Sequence, residues 1–214
     1  TSNQAAKFAR WRGRFMPSRT YAITPAGRFE VGLYDEIQKY CLEQQYSEQI
    51  ILTEEFVKQA TPGFTNHDLP KLNLELRDYQ SNIVSKCLRD GRGTVVLATA
   101  GGKTLTIATL LEAIYQSDKN FTCALIVPDL GLVNQTHADF NEYGVSFTHS
   151  KWTGNNELDL SSNVVICNMG ILQSSKSNVE WMRDVDVCLV DEVHKLRKGN
   201  KINKILKQVR TPRR

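Results

Sequence analysis

From Thr94 onward the chain alternates short, near-continuous apolar runs with helix-length amphipathic segments, and this rhythm limits the folds open to it more than any other feature. The runs are Thr94-Val-Val-Leu97, Thr122-Cys-Ala-Leu-Ile-Val127, Val164-Val-Ile-Cys167 and Val187-Cys-Leu-Val190. Strands this apolar on both sides belong in a parallel sheet covered on both faces by helices. Between them, 103–116 and 130–143 carry apolar residues at three- and four-residue intervals, the spacing of amphipathic helices. Strand, helix, strand, helix predicts a doubly wound α/β domain. Its start is placed at residue 71.

Residues 1–70 read differently. Phe8–Phe15 and Arg19–Ile23 are short and aromatic-rich with turn residues between them, 33–45 has helical periodicity, and Ile50-Ile-Leu52 suits a strand. Thr61-Pro-Gly63 through Pro70 suits a linker. The expectation is a small α+β accessory domain ahead of the α/β domain. With 41% hydrophobic and 23% charged residues over 214 positions, the chain is too apolar for disorder. No run approaches the eighteen or so apolar residues of a membrane span. The start, Thr1-Ser-Asn-Gln, lacks the layout of a signal peptide. Cys41, Cys87, Cys123, Cys167 and Cys188 have neither zinc-ligand nor disulfide-framework spacing. The composition therefore predicts a reduced, cytoplasmic protein without structural metal or membrane contact.

Charge is strongly segregated. Residues 1–28 hold six basic side chains and 195–214 hold nine, with no acid in either stretch, so all 23 acidic residues lie between them. Ends this basic suggest a polyanionic partner.

Two motifs carry chemistry. Ala98-Thr99-Ala100-Gly101-Gly102-Lys103-Thr104 follows an apolar run and opens a helical segment, the context a phosphate loop requires. Small residues let the backbone wrap phosphates while N–H groups at a helix start face the anion. Lys103 would neutralise the β- and γ-phosphates and Thr104 would offer its hydroxyl to Mg²⁺. Leu97 and Ala100 replace two frequent glycines of the pattern. The second motif, Asp191-Glu192-Val193-His194, follows the last apolar run, where a carboxylate faces the ligand crevice of a parallel sheet. Asp191 would hold Mg²⁺ and Glu192 would orient and deprotonate an attacking water.

Together these elements resemble the superfamily 2 DExH-box helicases. Asp191–His194 resembles their motif II, Ala98–Thr104 their motif I, and Leu76-Arg77-Asp78-Tyr79-Gln80 the element that contacts adenine. Ile126-Val-Pro128 with Leu132-Val-Asn-Gln135 resembles motif Ia, and Val165-Ile-Cys-Asn168 sits where motif Ib or Ic falls. In the N-terminal part, Trp11-Arg-Gly-Arg14, Phe29–Leu33 and Tyr40-Cys41 resemble the small domain ahead of the motor in phage UvsW-type helicases. Asn168 stands where threonine is usual, and Gly170 where that pattern has glutamine.

The resemblance implies a RecA-like first motor domain that binds ATP with Mg²⁺, with Arg77 and Gln80 at adenine and Thr99–Thr104 around the phosphates. It implies DNA, branched or forked, as partner, with Arg10, Arg12, Arg14, Pro128 and Asn168 as contacts. His194 is either a coupling residue or merely hydrogen-bonded, and Trp11 either packs or stacks. Motif III, and then a second RecA-like domain that carries motifs IV to VI and an arginine finger in this family, are expected beyond Arg214. The implied activity is unwinding and branch migration; the alternative is a translocase or nucleotide-gated DNA-binding module of a larger restriction or nuclease system. His67, His137 and His149 form no ligand set, and Trp152 and Trp181 are expected to pack.

The basic ends generate a prediction independent of the motor. With about six to ten phosphate contacts, DNA affinity falls by roughly 10³ to 10⁵ between about 50 and 200 mM salt. Reversing Arg10, Arg12 and Arg14 to glutamate should flatten that salt slope in an anisotropy titration. An unchanged slope removes those arginines from the DNA contact.

Overall fold

The structure, a computed structural model, describes residues 33–45, 69–174, 179–195, 201–206 and 208–209. Chain packing separates two compact units, Thr1–Thr53 and Glu54–Arg214, so the boundary placed at 70/71 falls inside the second. In the first unit, the expected helix forms α1, Tyr34–Glu43. The aromatic segments of residues 8–23, the run at 50–52, Arg10, Trp11, Arg12 and Arg14 lie outside the described residues, as does nearly all of the linker.

Among the described residues, the second unit is built on a four-stranded parallel sheet. Its strands are β1 (Cys123–Val127), β2 (His149–Trp152), β3 (Val164–Asn168) and β4 (Val187–Val190), in spatial order β2-β3-β1-β4. Central β1 pairs Val127 with Asn168 on one side and Ile126 with Val190 on the other. Helices α2 (Asp78–Asp90), α3 (Lys103–Ser117) and α4 (Leu130–Tyr143) precede or link the strands. Two short helices, α5 (Met169–Gln173) and α6 (Lys201–Leu206), follow β3 and β4. Among the described residues no helix is long and apolar enough to cross a membrane.

All five β1 residues are buried, and the two-residue period of a strand sorts them between two cores. Cys123, Leu125 and Val127 pack with Val84 and Leu88 of α2, Leu111 and Ile114 of α3, and Val133 and Phe140 of α4. Ala124 and Ile126 face the other core, with Trp152, Cys167, Leu172, Met182 and Ile205. Trp152 and Trp181 pack edge to face there, with centroids 5.8 Å apart. Local chemistry fixes α4 at both ends: Asp129 accepts the Leu132 N–H at 3.0 Å, and Gly144 closes the helix at φ +70°. Asn73 locks the lead-in segment to that corner, its N–H on the Tyr143 carbonyl at 3.0 Å and its amide on that of Glu142 at 2.8 Å.

Two features differ from the sequence expectation. Thr94–Leu97 is not a strand; Val96 is 89% exposed, and the segment shares with β4 the lining of a cavity of about 560 Å³. Apolar, β-branched composition confers strand propensity, but a strand exists only where a neighbour's ladder receives it. Conversely, β2 has little apolar signal and is held by pairing with β3 from His149–Val164 to Trp152–Cys167.

His149 sits against this edge with its ring 4.6 Å from that of His137, 5.4 Å from Phe140 and 6.1 Å from Phe147. Its Nδ1 is buried and finds no hydrogen-bond partner among the described residues. Burial, helped by His137, pushes the imidazole down from 6.5 to about 4. The His137 ring is shifted the same way, by burial and by Lys151. The unfolded chain thus takes up a proton near 6.5 that the native state refuses, so stability present above that value is lost as pH falls toward 4. The melting temperature should therefore drop between about pH 7 and about pH 4.5, and His149→Phe should shallow that drop. Parallel slopes in parent and variant would assign the acid sensitivity elsewhere.

Candidate functional site

The site lies where the C-terminal ends of β1 and β4 meet the loop that starts α3. Asp191 directly follows β4, and its N–H donates to the Ile126 carbonyl of β1 at 2.8 Å, fixing the strand end. The Asp191 carboxylate in turn accepts the Glu192 N–H at 2.8 Å. Glu192 has φ +52°, a left-handed backbone uncommon for a side chain of its size. This turn directs two successive acids to one cation. The Lys103 ammonium hydrogen-bonds Glu192 and lies 3.8 Å from Asp191. The Glu192 bond, reinforced by the Asp191 charge, holds the Lys103 pKa above its ordinary value although burial opposes it. On the far side of Glu192, His194 Nδ1 is 3.2 Å from Oε2. The box histidine thus touches the acid assigned as base.

The loop itself has the backbone an anion cradle needs. Ala100 and Gly102 adopt positive φ, +61° and +72°, and the Gly101 N–H closes a turn onto the Ala98 carbonyl at 2.9 Å. A Cβ on Gly101 would meet that carbonyl oxygen at 2.9 Å, and one on Gly102 would overlap the amide nitrogen of Gln80. Glycine is favoured at both positions, by close approach to backbone at the first and by backbone sign at the second. Helix α3 begins at Lys103, so the amides of its first turn lack intrahelical partners and favour an anion. Thr104 lies in that turn, half-buried, while Thr99 and Ala100 are exposed.

Helix α2 grips this loop from the other side. Gln80 is only 3% exposed; its Oε1 accepts the Arg77 N–H at 2.8 Å, and its Nε2 donates to the carbonyls of Gly101 at 3.1 Å and Gly102 at 3.3 Å. The amide expected at an adenine edge here bonds the helix start and the glycine loop. Arg77 remains at the surface beside it, its Nη1 donating to Tyr79 Oη at 3.3 Å. Tyr79 Oη donates onward to the Gly101 carbonyl at 3.1 Å. Sequence reasoning gave Tyr79 and Thr106 no role. Thr106 binds the Gly102 carbonyl through its N–H and its hydroxyl, both at 3.0 Å. The signal for Tyr79 was its place between Arg77 and Gln80 in the first turn of α2.

Pro128 and Asn168 come to the same end of the sheet, since Val127 pairs with Asn168. Asn168 caps α5, its Oδ1 accepting the Ile171 N–H at 3.2 Å. The structure therefore gathers Arg77, Gln80, Gly101, Gly102, Lys103, Asp191, Glu192 and His194 into one site.

A parallel α/β sheet carrying a glycine loop before one helix and an acidic pair after the neighbouring strand defines a RecA-like motor domain of the superfamily 2 helicases. The chain belongs to the family described as type III restriction enzyme, res subunit, whose model matches residues 73–214. It is 32% identical over 113 residues, 51% of this chain, to the DNA 3′-5′ translocase XPB2 of Sulfurisphaera tokodaii, and spans about a fifth (22%) of that protein's length. The UvsW helicase of bacteriophage T4 superimposes with a TM-score of 0.69 at 21% identity, covering 99% of this chain and 78% of that one. The SWI2/SNF2 ATPase core of Sulfolobus solfataricus, solved with dsDNA, gives 0.57 at 14% identity over 71% of this chain and 33% of its own. At these identities the likeness is one of fold.

Gly102→Ala tests the built loop. The added methyl must adopt a left-handed backbone and displace a buried amide, so stability should fall by about 1–2 kcal/mol from the backbone alone. Urea unfolding of parent and variant reads this directly. A loss confined to that range would show that Gln80 yields freely to the methyl, a larger one that α2 braces the loop, and a parental midpoint that the loop does not hold residue 102 in a left-handed backbone.

Proposed function

We propose that this chain is the first motor domain, with an N-terminal accessory domain, of an ATP-dependent DNA helicase or translocase. One observation carries the reading: a lysine at the start of a helix, next to a tight glycine loop, is held between two acids at the end of a parallel strand. A structural role for the trio would not require the loop's two close approaches or the positive φ of Glu192.

The residues fit Mg·ATP. The loop places glycines where a Cβ would crowd the Ala98 carbonyl or strain the backbone, and the first turn of α3 offers its amides to the phosphates. Lys103 would exchange Glu192 for phosphate oxygens, which frees the Glu192 carboxylate to accept a proton from water. Thr104 and Asp191 would hold Mg²⁺, a cation that commonly takes one or two protein oxygens and completes its shell with phosphate and water. When bound, that ion would supply positive charge against the negative charge that develops on the phosphate. His194 keeps Glu192 oriented from the opposite side. Arg77, exposed above the start of α2, would reach the adenine, with Gln80 setting the loop beneath it.

DNA is the proposed partner, supported by the basic ends and by the likeness to a DNA translocase and to an ATPase core solved with dsDNA. Pro128 and Asn168, and Arg10, Arg12 and Arg14 of the accessory domain (1–70), are the proposed contacts. Branched or forked DNA, with branch migration as the outcome, follows the resemblance to UvsW-type proteins. A second RecA-like domain would supply the arginine finger, which accelerates phosphoryl transfer by roughly 10³ to 10⁵ in well-studied NTPases. Residues 1–214 alone should then bind nucleotide with negligible turnover. The proposed location is the cytoplasm. The family description favours one other reading, a translocase serving a restriction nuclease; DNA cleavage by the complete protein would select it.

Lys103→Ala should abolish binding of a fluorescent ATP analogue by the 214-residue chain. Equal affinity in variant and parent would remove the phosphate-loop assignment. In the complete protein Glu192→Gln should keep Mg·ATP binding and lower DNA-stimulated hydrolysis by about 10² to 10⁴, the usual contribution of a general base. Turnover near the parental rate would exclude Glu192 as that base.

A further inference from the structure

An anion cradle works only if its N–H groups face the anion and its carbonyl oxygens are held away, because a carbonyl dipole aimed at phosphate repels it. Two carbonyls of the loop, those of Gly101 and Gly102, are at stake. Gly102 is secured within α3 itself, by the N–H and hydroxyl of Thr106 at 3.0 Å each. Gly101 has no such support; its described donors both come from the first turn of α2. Of these, Gln80 Nε2 is divided between the two carbonyls at 3.1 and 3.3 Å, whereas the Tyr79 hydroxyl serves Gly101 alone at 3.1 Å. A phenol carries a single proton to donate and lone pairs to accept with. Arg77 Nη1 occupies one of those lone pairs at 3.3 Å, which leaves the proton for Gly101 and strengthens that bond by polarisation.

We infer that Tyr79 is a positioning residue for phosphate binding, its hydroxyl fixing the Gly101 carbonyl against α2 so that the loop amides stay turned to the anion. The inference rests on reading Ala98–Thr104 as a phosphate cradle. It makes Tyr79 a determinant of affinity for the triphosphate, and not a platform for the base. Tyr79 is 39% exposed, and Tyr79→Phe removes one oxygen without altering its packing, so the fold survives the change.

The test measures the affinity of the 214-residue chain for Mg·ATP and for Mg·tripolyphosphate in the parent, Tyr79→Phe and Lys103→Ala, with melting temperatures as a control. Losing one neutral hydrogen bond should weaken both ligands equally, by roughly two- to tenfold, with the melting temperature lowered by no more than about 4 °C. Parental affinity of Tyr79→Phe for both ligands overturns the inference. Weakened ATP binding with undiminished tripolyphosphate binding also overturns it and makes Tyr79 a base contact. The phosphate-loop reading falls separately, if Lys103→Ala binds both ligands as the parent does. Loss of both in Lys103→Ala beside a parental Tyr79→Phe leaves that reading standing and removes only the role of Tyr79.

Discussion

Parallel pairing is the constraint from which the rest of this domain follows. A strand cannot return beside its parallel neighbour through a tight turn; it needs a crossover of about a dozen residues or more. Here α4 and the segments around α5 provide those crossovers, and they must lie on the sheet's faces. Both faces are then buried, which is why β1 can be wholly apolar and still divide its side chains between two cores. The same constraint aligns every strand, so the C-terminal ends of β1, β3 and β4 lie at one end of the sheet. Pro128, Asn168 and Asp191 are neighbours because the sheet is parallel, not because anything in their local sequence attracts them.

At that end the decisive local interaction is electrostatic. Asp191 and Glu192 are adjacent acids whose mutual repulsion would be relieved by any nearby cation. The chain supplies Lys103 from 88 positions earlier, at the start of α3. One ammonium between two carboxylates leaves a net negative site, an arrangement suited to later receiving a divalent ion. The same ammonium beside the exposed amides of a helix start is suited to receiving phosphate. The cluster as it stands therefore holds its charges in a provisional pairing.

Much of this was legible in the sequence because the signals were local or periodic. The apolar runs at 122–127, 164–167 and 187–190 became strands, and 103–116 and 130–143 became helices. The loop and acidic pair were legible because glycine, lysine and carboxylate have few other reasons to occur at such junctions. What was illegible depended on pairing. Thr94–Leu97 has strand composition without a ladder, and His149–Trp152 has a ladder without strand composition. The interaction of Gln80 was hidden for a similar reason: a glutamine's amide suits an adenine edge and a backbone carbonyl equally, and only the folded distance distinguishes them.

The loop is consequently held from two directions by chemically different means. On the α2 side, neutral donors bind its carbonyls, and those bonds are insensitive to salt and to the arrival of an anion. On the β4 side, carboxylates bind its lysine, and those contacts compete directly with any phosphate. An incoming anion can displace the second set without disturbing the first, so the loop backbone stays organised while its side chain changes partner. This separation favours binding, since the ordering of the backbone is already complete in the folded chain. It also explains why the two glycines are placed where they are. Gly102 lets Gln80 approach within bonding distance, and Gly101 lets the turn close on Ala98, so the flexible residues of the motif are the ones most tightly confined.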